Sequence, residues 1–145
     1  MKTIRLLPLL LLATFAFAAN SDKVVPGPKG GRLLEATPQR AEFFVTKDRL
    51  VEVTFYDAAL KPTAPTTQTV AITAEPKSGR APVALEKTAN GYVSKSALPA
   101  STEPYRVVVQ LRATPDAKPQ NFRIDLNLDH CGECKRSEYA CTCTH

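Results

Sequence analysis

Alternation of apolar and polar side chains dominates the second half of the chain. Tyr105, Val107, Val109 and Leu111 share one face of an extended segment, opposite Arg106, Val108, Gln110 and Arg112. Phe122, Ile124, Leu126 and Leu128 share another, opposite Arg123, Asp125, Asn127 and Asp129. A period of two marks a half-buried strand. The same pattern predicts strands at Leu50-Val51-Glu52-Val53-Thr54-Phe55-Tyr56, around Val70, Ile72 and Ala74, and around Val83 and Leu85. Turn residues separate these runs: Asp57 to Pro62, Lys77-Ser78-Gly79, Asn90-Gly91 and Thr114-Pro115-Asp116. Asn90-Gly91 predicts a tight hairpin into Tyr92-Val93, because both residues tolerate positive φ. Past residue 18, no twelve-residue window carries a helical stripe. Short strands with regular turns predict an all-β, Ig-like sandwich of about seven strands, with a small closed barrel as the alternative. Residues 37–128 are assigned to this domain, whose period-two core lies wholly before the last seventeen residues of the 145.

The N-terminus breaks the pattern. Lys2 and Arg5 precede an apolar run of about 13 residues that ends in Ala16-Phe17-Ala18, the layout of a secretory signal with its cleavage site. The run is shorter than the roughly 20 residues a membrane-spanning helix needs. Residues 1–18 are therefore expected to be a signal peptide cleaved after Ala18, rather than a buried first helix or a retained anchor. Export to the periplasm or the medium follows, without membrane insertion after cleavage. Residues 19–36, rich in Gly, Pro and Lys, are expected to form an extended lead-in.

Charge excludes one class of partner. Of 19 basic residues, loss of Lys2 and Arg5 leaves 17 against 14 acidic ones, a mild excess with no basic run of four. A nucleic-acid binder would show a clustered basic stripe with aromatic stacking groups, so nucleic acid is not an expected partner.

The candidate chemistry is confined to residues 129–145. All four cysteines and both histidines fall in the last sixteen residues: His130, Cys131, Cys134, Cys141, Cys143 and His145. Scattered cysteines in an exported chain would suggest a disulfide framework. Here bridges would close loops of only about 3 to 13 residues, which constrain the unfolded chain little. A Cys-x-Cys bridge would also be strained. Cys131-x-x-Cys134 and Cys141-x-Cys143 instead offer two close sulfur pairs, and four thiolates suit zinc or the cuprous ion. His130 and His145 flank the set as further ligands. Local disulfides and thiol–disulfide exchange remain as other readings, although no thioredoxin-like α/β pattern supports exchange. Glu133 and Glu138 could serve as ligands but are expected to solvate the tail, and Tyr139 to pack within it. Both histidines lie in the tail, so no nucleophile has a base held by the core. The chain is not expected to be an enzyme.

Three stretches carry a resemblance: Gly27-Pro28-Lys29-Gly30-Gly31-Arg32-Leu33-Leu34-Glu35, Ala41-Glu42-Phe43-Phe44-Val45, and Val53-Thr54-Phe55-Tyr56-Asp57-Ala58 with Lys61-Pro62. Over roughly residues 26 to 112 the chain resembles small periplasmic β-sandwich proteins associated with heavy-metal efflux systems of the resistance-nodulation-division type. That family usually has Gly-Pro-His-Gly-Gly, whose histidine looks like a metal ligand. Lys29 stands in its place here, so no ligand is carried over. The resemblance implies a periplasmic copper- or zinc-binding protein that sequesters the ion or passes it to an efflux complex. The alternative is a β-sandwich interaction module whose tail is closed by local disulfides.

Overall fold

The computed structural model describes residues 23–143; the expected signal peptide and His145 lie outside them. Two antiparallel sheets build the fold. One runs in the spatial order β1 (Val25–Pro26), β2 (Arg32–Leu34), β3 (Arg40–Val45), β4 (Val51–Tyr56), β8 (Gly91–Ser94) and β7 (Leu85–Thr88). The other runs β10 (Gln120–Leu126), β9 (Tyr105–Arg112), β5 (Thr69–Glu75) and β6 (Ala81–Val83). This is the expected all-β sandwich, with ten strands among the described residues where about seven were predicted.

The strongest period-two segments pair with each other. β9 and β10 lie in register with Val107 opposite Ile124 and Val109 opposite Phe122. Their inward side chains meet Phe43, Val51, Val53 and Phe55 of the facing sheet in one core. Leu98 closes one end of that core, its N–H donating to the carbonyl of Arg49 at 2.8 Å.

Four expectations need correction. The run around Val83 and Leu85 is two strands in different sheets: β6 pairs with β5 and β7 with β8. Alternation reports which side chains are buried, not which sheet receives them, so a switch at Ala84 leaves the pattern intact. The predicted hairpin forms one residue early, with Thr88 opposite Gly91 and the turn at Ala89-Asn90. Gly91 is required for a different reason than positive φ. A Cβ there would sit 1.8 Å from the carbonyl oxygen of Val53 on the adjacent strand.

The lead-in is more than extended chain, since β1 and β2 extend a sheet and Leu34 enters the core. The cause is Glu42, a fully buried carboxylate on β3. The Gly27–Gly31 loop folds over it, with the N–H groups of Lys29 and Gly31 donating at 3.0 and 2.7 Å to Oε1. The Tyr56 hydroxyl donates to Oε2 at 2.8 Å. A buried charge needs such partners, and these donors supply them. A Cβ on Gly27 would lie 2.2 Å from the Glu42 carboxyl carbon. Lys29 reaches the other way, its Nζ 2.6 Å from Glu52. The Gly-Pro-Lys-Gly-Gly segment is therefore a cover for a buried carboxylate.

Glu42→Gln is expected to destabilise the fold by about 1–3 kcal/mol, because its amide NH2 would face N–H donors and leave them unmet. Urea unfolding followed by far-UV circular dichroism measures this; an unchanged midpoint would refute the role given to the loop.

Fourth, the core does not end before residue 129. Tyr139 and Ala140, on a short 3-10 turn (Glu138–Ala140), belong to it.

Candidate metal centre

The tail returns along the sandwich as a small hairpin hung from the end of β10. Glu138 N–H donates to the carbonyl of Asp129 at 2.8 Å, and Tyr139 N–H to that of Asn127 at 3.1 Å. Cys131 N–H donates to the carbonyl of Arg136 at 2.8 Å, and His130 pairs with Ser137 as an isolated antiparallel bridge. The turn between them closes with Lys135 N–H on the carbonyl of Cys131 at 3.1 Å, and Lys135 takes φ 61°. That turn directs Cys131 and Cys134 to the same side. The 3-10 turn follows, with Cys141 N–H on the carbonyl of Glu138 at 3.1 Å, and brings Cys141 and Cys143 back toward them.

Tyr139 fixes this assembly to the sandwich. Its ring stands edge-on to Phe43, centroids 5.7 Å apart at 87°. Its hydroxyl oxygen accepts the N–H of Val45 at 3.0 Å. The contact expected inside the tail is thus a contact with the core. Burial pushes the Tyr139 phenol up to about 12.

The four sulfurs converge, all lying within 4.8 Å of one another. Cys131 and Cys143 are 3.8 Å apart and Cys134 and Cys141 3.6 Å. A zinc ion bonded to four sulfurs at about 2.3 Å sets them at tetrahedral edges of about 3.8 Å. The donor set and its size therefore fit such an ion. Cys131 and Cys141 are buried, whereas Cys134 and Cys143 are partly exposed.

Electrostatics divide the set. The backbone N–H of Arg136 aimed at Cys134 lowers that thiol from the ordinary 9.0 to about 6; desolvation opposes it, and the Cys141 and Cys131 thiols and the Thr142 N–H assist. Cys141 receives the Cys143 N–H at 3.3 Å, but burial and its hydrogen bonds with Cys131 and Cys134 outweigh that and raise it. Burial, reinforced by hydrogen bonds to Cys141 and Glu133, pushes Cys143 well up. The Cys134 thiolate forms readily, whereas Cys141 and Cys143 need a cation to hold the accumulating charge.

The six residues proposed as ligands are thus placed unequally. The four cysteines come together. His130 is exposed and stands outside the group of converging ligand atoms. His145 lies outside the described residues. Glu133, weighed as a ligand but expected to solvate the tail, touches the Cys143 thiol. The sequence reading missed the N–H groups of Arg136, Thr142 and Cys143 as sulfur partners, since backbone donors leave no mark in residue type.

No family model, curated protein or solved structure matches the chain. Among the described residues no helix is long and apolar enough to cross a membrane.

Proposed function

We propose that this chain is an exported soft-metal binding protein that sequesters zinc or the cuprous ion in the periplasm, or hands it to a heavy-metal efflux complex. The observation that carries this reading is the convergence of four cysteine sulfurs within 4.8 Å of one another. Thiolates select soft and borderline ions, and the tetrahedral spacing suits zinc first. The half-open face of the site favours a carrier over a sealed structural centre. Cys134 and Cys143 are reachable from solvent, so an acceptor's ligand can displace one sulfur at a time. The signal-like N-terminus and the resemblance to efflux-associated sandwich proteins support the compartment and the partner.

Competitive titration of the reduced, metal-stripped protein tests the reading. One zinc ion per chain is expected, with four titratable thiols before loading and protection of all four afterwards. Fewer than four thiols in freshly stripped protein, or no stoichiometric uptake of zinc or cuprous ion, would overturn it in favour of a disulfide-closed interaction module.

A further inference from the structure

An exported site built of four thiols meets an oxidising compartment, where unprotected cysteines form disulfides. The arrangement of the sulfurs decides which ones. A bridge across Cys141-x-Cys143 would be strained, because the two Cα atoms of an extended Cys-x-Cys stand at the limit of disulfide geometry. If Cys141 and Cys143 cannot pair with each other, oxidation of all four thiols requires both to pair across to Cys131 and Cys134. Cys131 lies 3.8 Å from Cys143 and Cys134 3.6 Å from Cys141, in a group where Cys131 also touches Cys134 and Cys141. Closing each to a covalent bond of about 2.05 Å needs a sulfur movement of under about 2 Å, within reach of side-chain rotation. Each of these pairs also joins one partly exposed sulfur to one buried sulfur: Cys134 to Cys141, and Cys143 to Cys131. An oxidant arriving from solvent meets the exposed member, and the buried member lies behind it as the resolving thiol.

We propose that the centre is a redox-gated metal site, holding one ion as four thiolates and releasing it when a peroxide or a disulfide oxidant closes two crossed bridges, Cys131–Cys143 and Cys134–Cys141. This rests on the metal-binding reading above. With hydrogen peroxide, the Cys134 thiolate attacks one peroxide oxygen, the O–O bond breaks, and hydroxide leaves to give a sulfenic acid. The Cys141 sulfur then attacks the Cys134 sulfur, the S–O bond breaks, and water departs as the S–S bond forms. Two thiols lose two electrons and two protons, and one peroxide becomes two waters. Cys143 and Cys131 repeat the step with a second peroxide. Disulfide sulfurs no longer carry the charge that held the ion, so it leaves. A dithiol reductant reverses both bridges by exchange and restores the site.

The test begins with the full mature chain loaded with zinc. Hydrogen peroxide is added stepwise while a colorimetric chelator reports free zinc, and samples are alkylated and digested with trypsin. Cleavage after Lys135 and Arg136 places Cys131 and Cys134 on one peptide, 124–135, and Cys141 and Cys143 on another, 137–145. Complete zinc release in step with thiol loss is expected, together with a covalently joined pair of these peptides. Fragmentation should assign the two crossed bridges, and dithiothreitol should restore full zinc uptake. The double variant Cys131→Ser/Cys143→Ser should still form the single bridge Cys134–Cys141. Separate peptides with an internal Cys131–Cys134 bridge, the opposite crossing, or zinc retained after all thiols are lost would each overturn the proposal. If zinc is never taken up, the metal reading and the gating fall together, while the digest of oxidised metal-free protein still decides the pairing.

Discussion

Serine at both Cys131 and Cys134 will lower zinc affinity by roughly a thousandfold or more, and serine at both Cys141 and Cys143 will do the same. Structural zinc in four-ligand sites binds with about 10–16 kcal/mol at neutral pH, so removing half the ligands forfeits several kcal/mol. The hydroxyl that replaces each thiol stays protonated and is a hard, weak donor. Lys29→Ala is the control and should leave affinity unchanged, because its ammonium is engaged with Glu52 and has no lone pair to offer. His130→Ala should also cost little, since four sulfurs complete a tetrahedron. The affinity will depend steeply on pH, and the sign follows from the thiols. Cys134 titrates at about 6 and is mainly thiolate at neutral pH, while Cys141 and Cys143 are raised and still carry protons. Binding must expel at least those two protons, so the apparent affinity should fall by roughly a hundredfold or more for each pH unit below 7. Below pH 6 protonation of Cys134 steepens the fall. Competition titrations across this range measure the slope; a pH-independent affinity, or undiminished binding in both serine pairs, would remove the thiolate site.

What the sequence made legible follows from how far apart the interacting residues lie. The four cysteines occur within thirteen residues, so their spacing alone announced a common centre, and the fold brings them together. β9 and β10 were legible because each buries one clean face, which a period of two records directly. The strand switch at Ala84 was not, since residues on either side of it obey the same alternation while pairing with different sheets. The lead-in was obscured by its composition. Gly27 and Gly31 read as loop formers, yet a Cβ on Gly27 would strike the distant Glu42 carboxylate and one on Gly31 the carbonyl oxygen of Phe43, while the Gly31 N–H serves that carboxylate. An isolated glutamate in a strand gives no sign that it is buried. The docking of the tail was the least visible, because the hydroxyl of Tyr139 meets the N–H of Val45 across 94 positions of chain. Nothing local distinguishes a tyrosine that packs inside a tail from one that fastens the tail to a core.

That fastening has a large expected effect. Tyr139→Ala should destabilise the whole sandwich by about 3–5 kcal/mol, the usual cost of deleting a buried aromatic ring. The ring is 4% exposed, and it leaves behind both the face of Phe43 and an unmet N–H on Val45. Tyr139→Phe separates these contributions: it keeps the ring and loses only the acceptor, for about 1–3 kcal/mol. A chain ending at Leu128 loses Tyr139 and Ala140 from the core together with buried Cys131, so it should unfold at lower denaturant than either variant. The phenol also sets an alkaline limit. Its titration is raised by burial from 10.0 to about 12 in the folded protein, so the stability it contributes is complete below pH 10 and is lost as pH rises through 12. Because the same hairpin carries the cysteines, zinc should raise the unfolding midpoint of the intact chain in proportion to the logarithm of its free concentration. Urea melts of the three variants at neutral pH, and of the intact chain with graded zinc and at graded pH between 9 and 12, give these quantities. Should the chain ending at Leu128 melt like the full protein, the tail would be an appendage, and the metal centre would have no purchase on the fold.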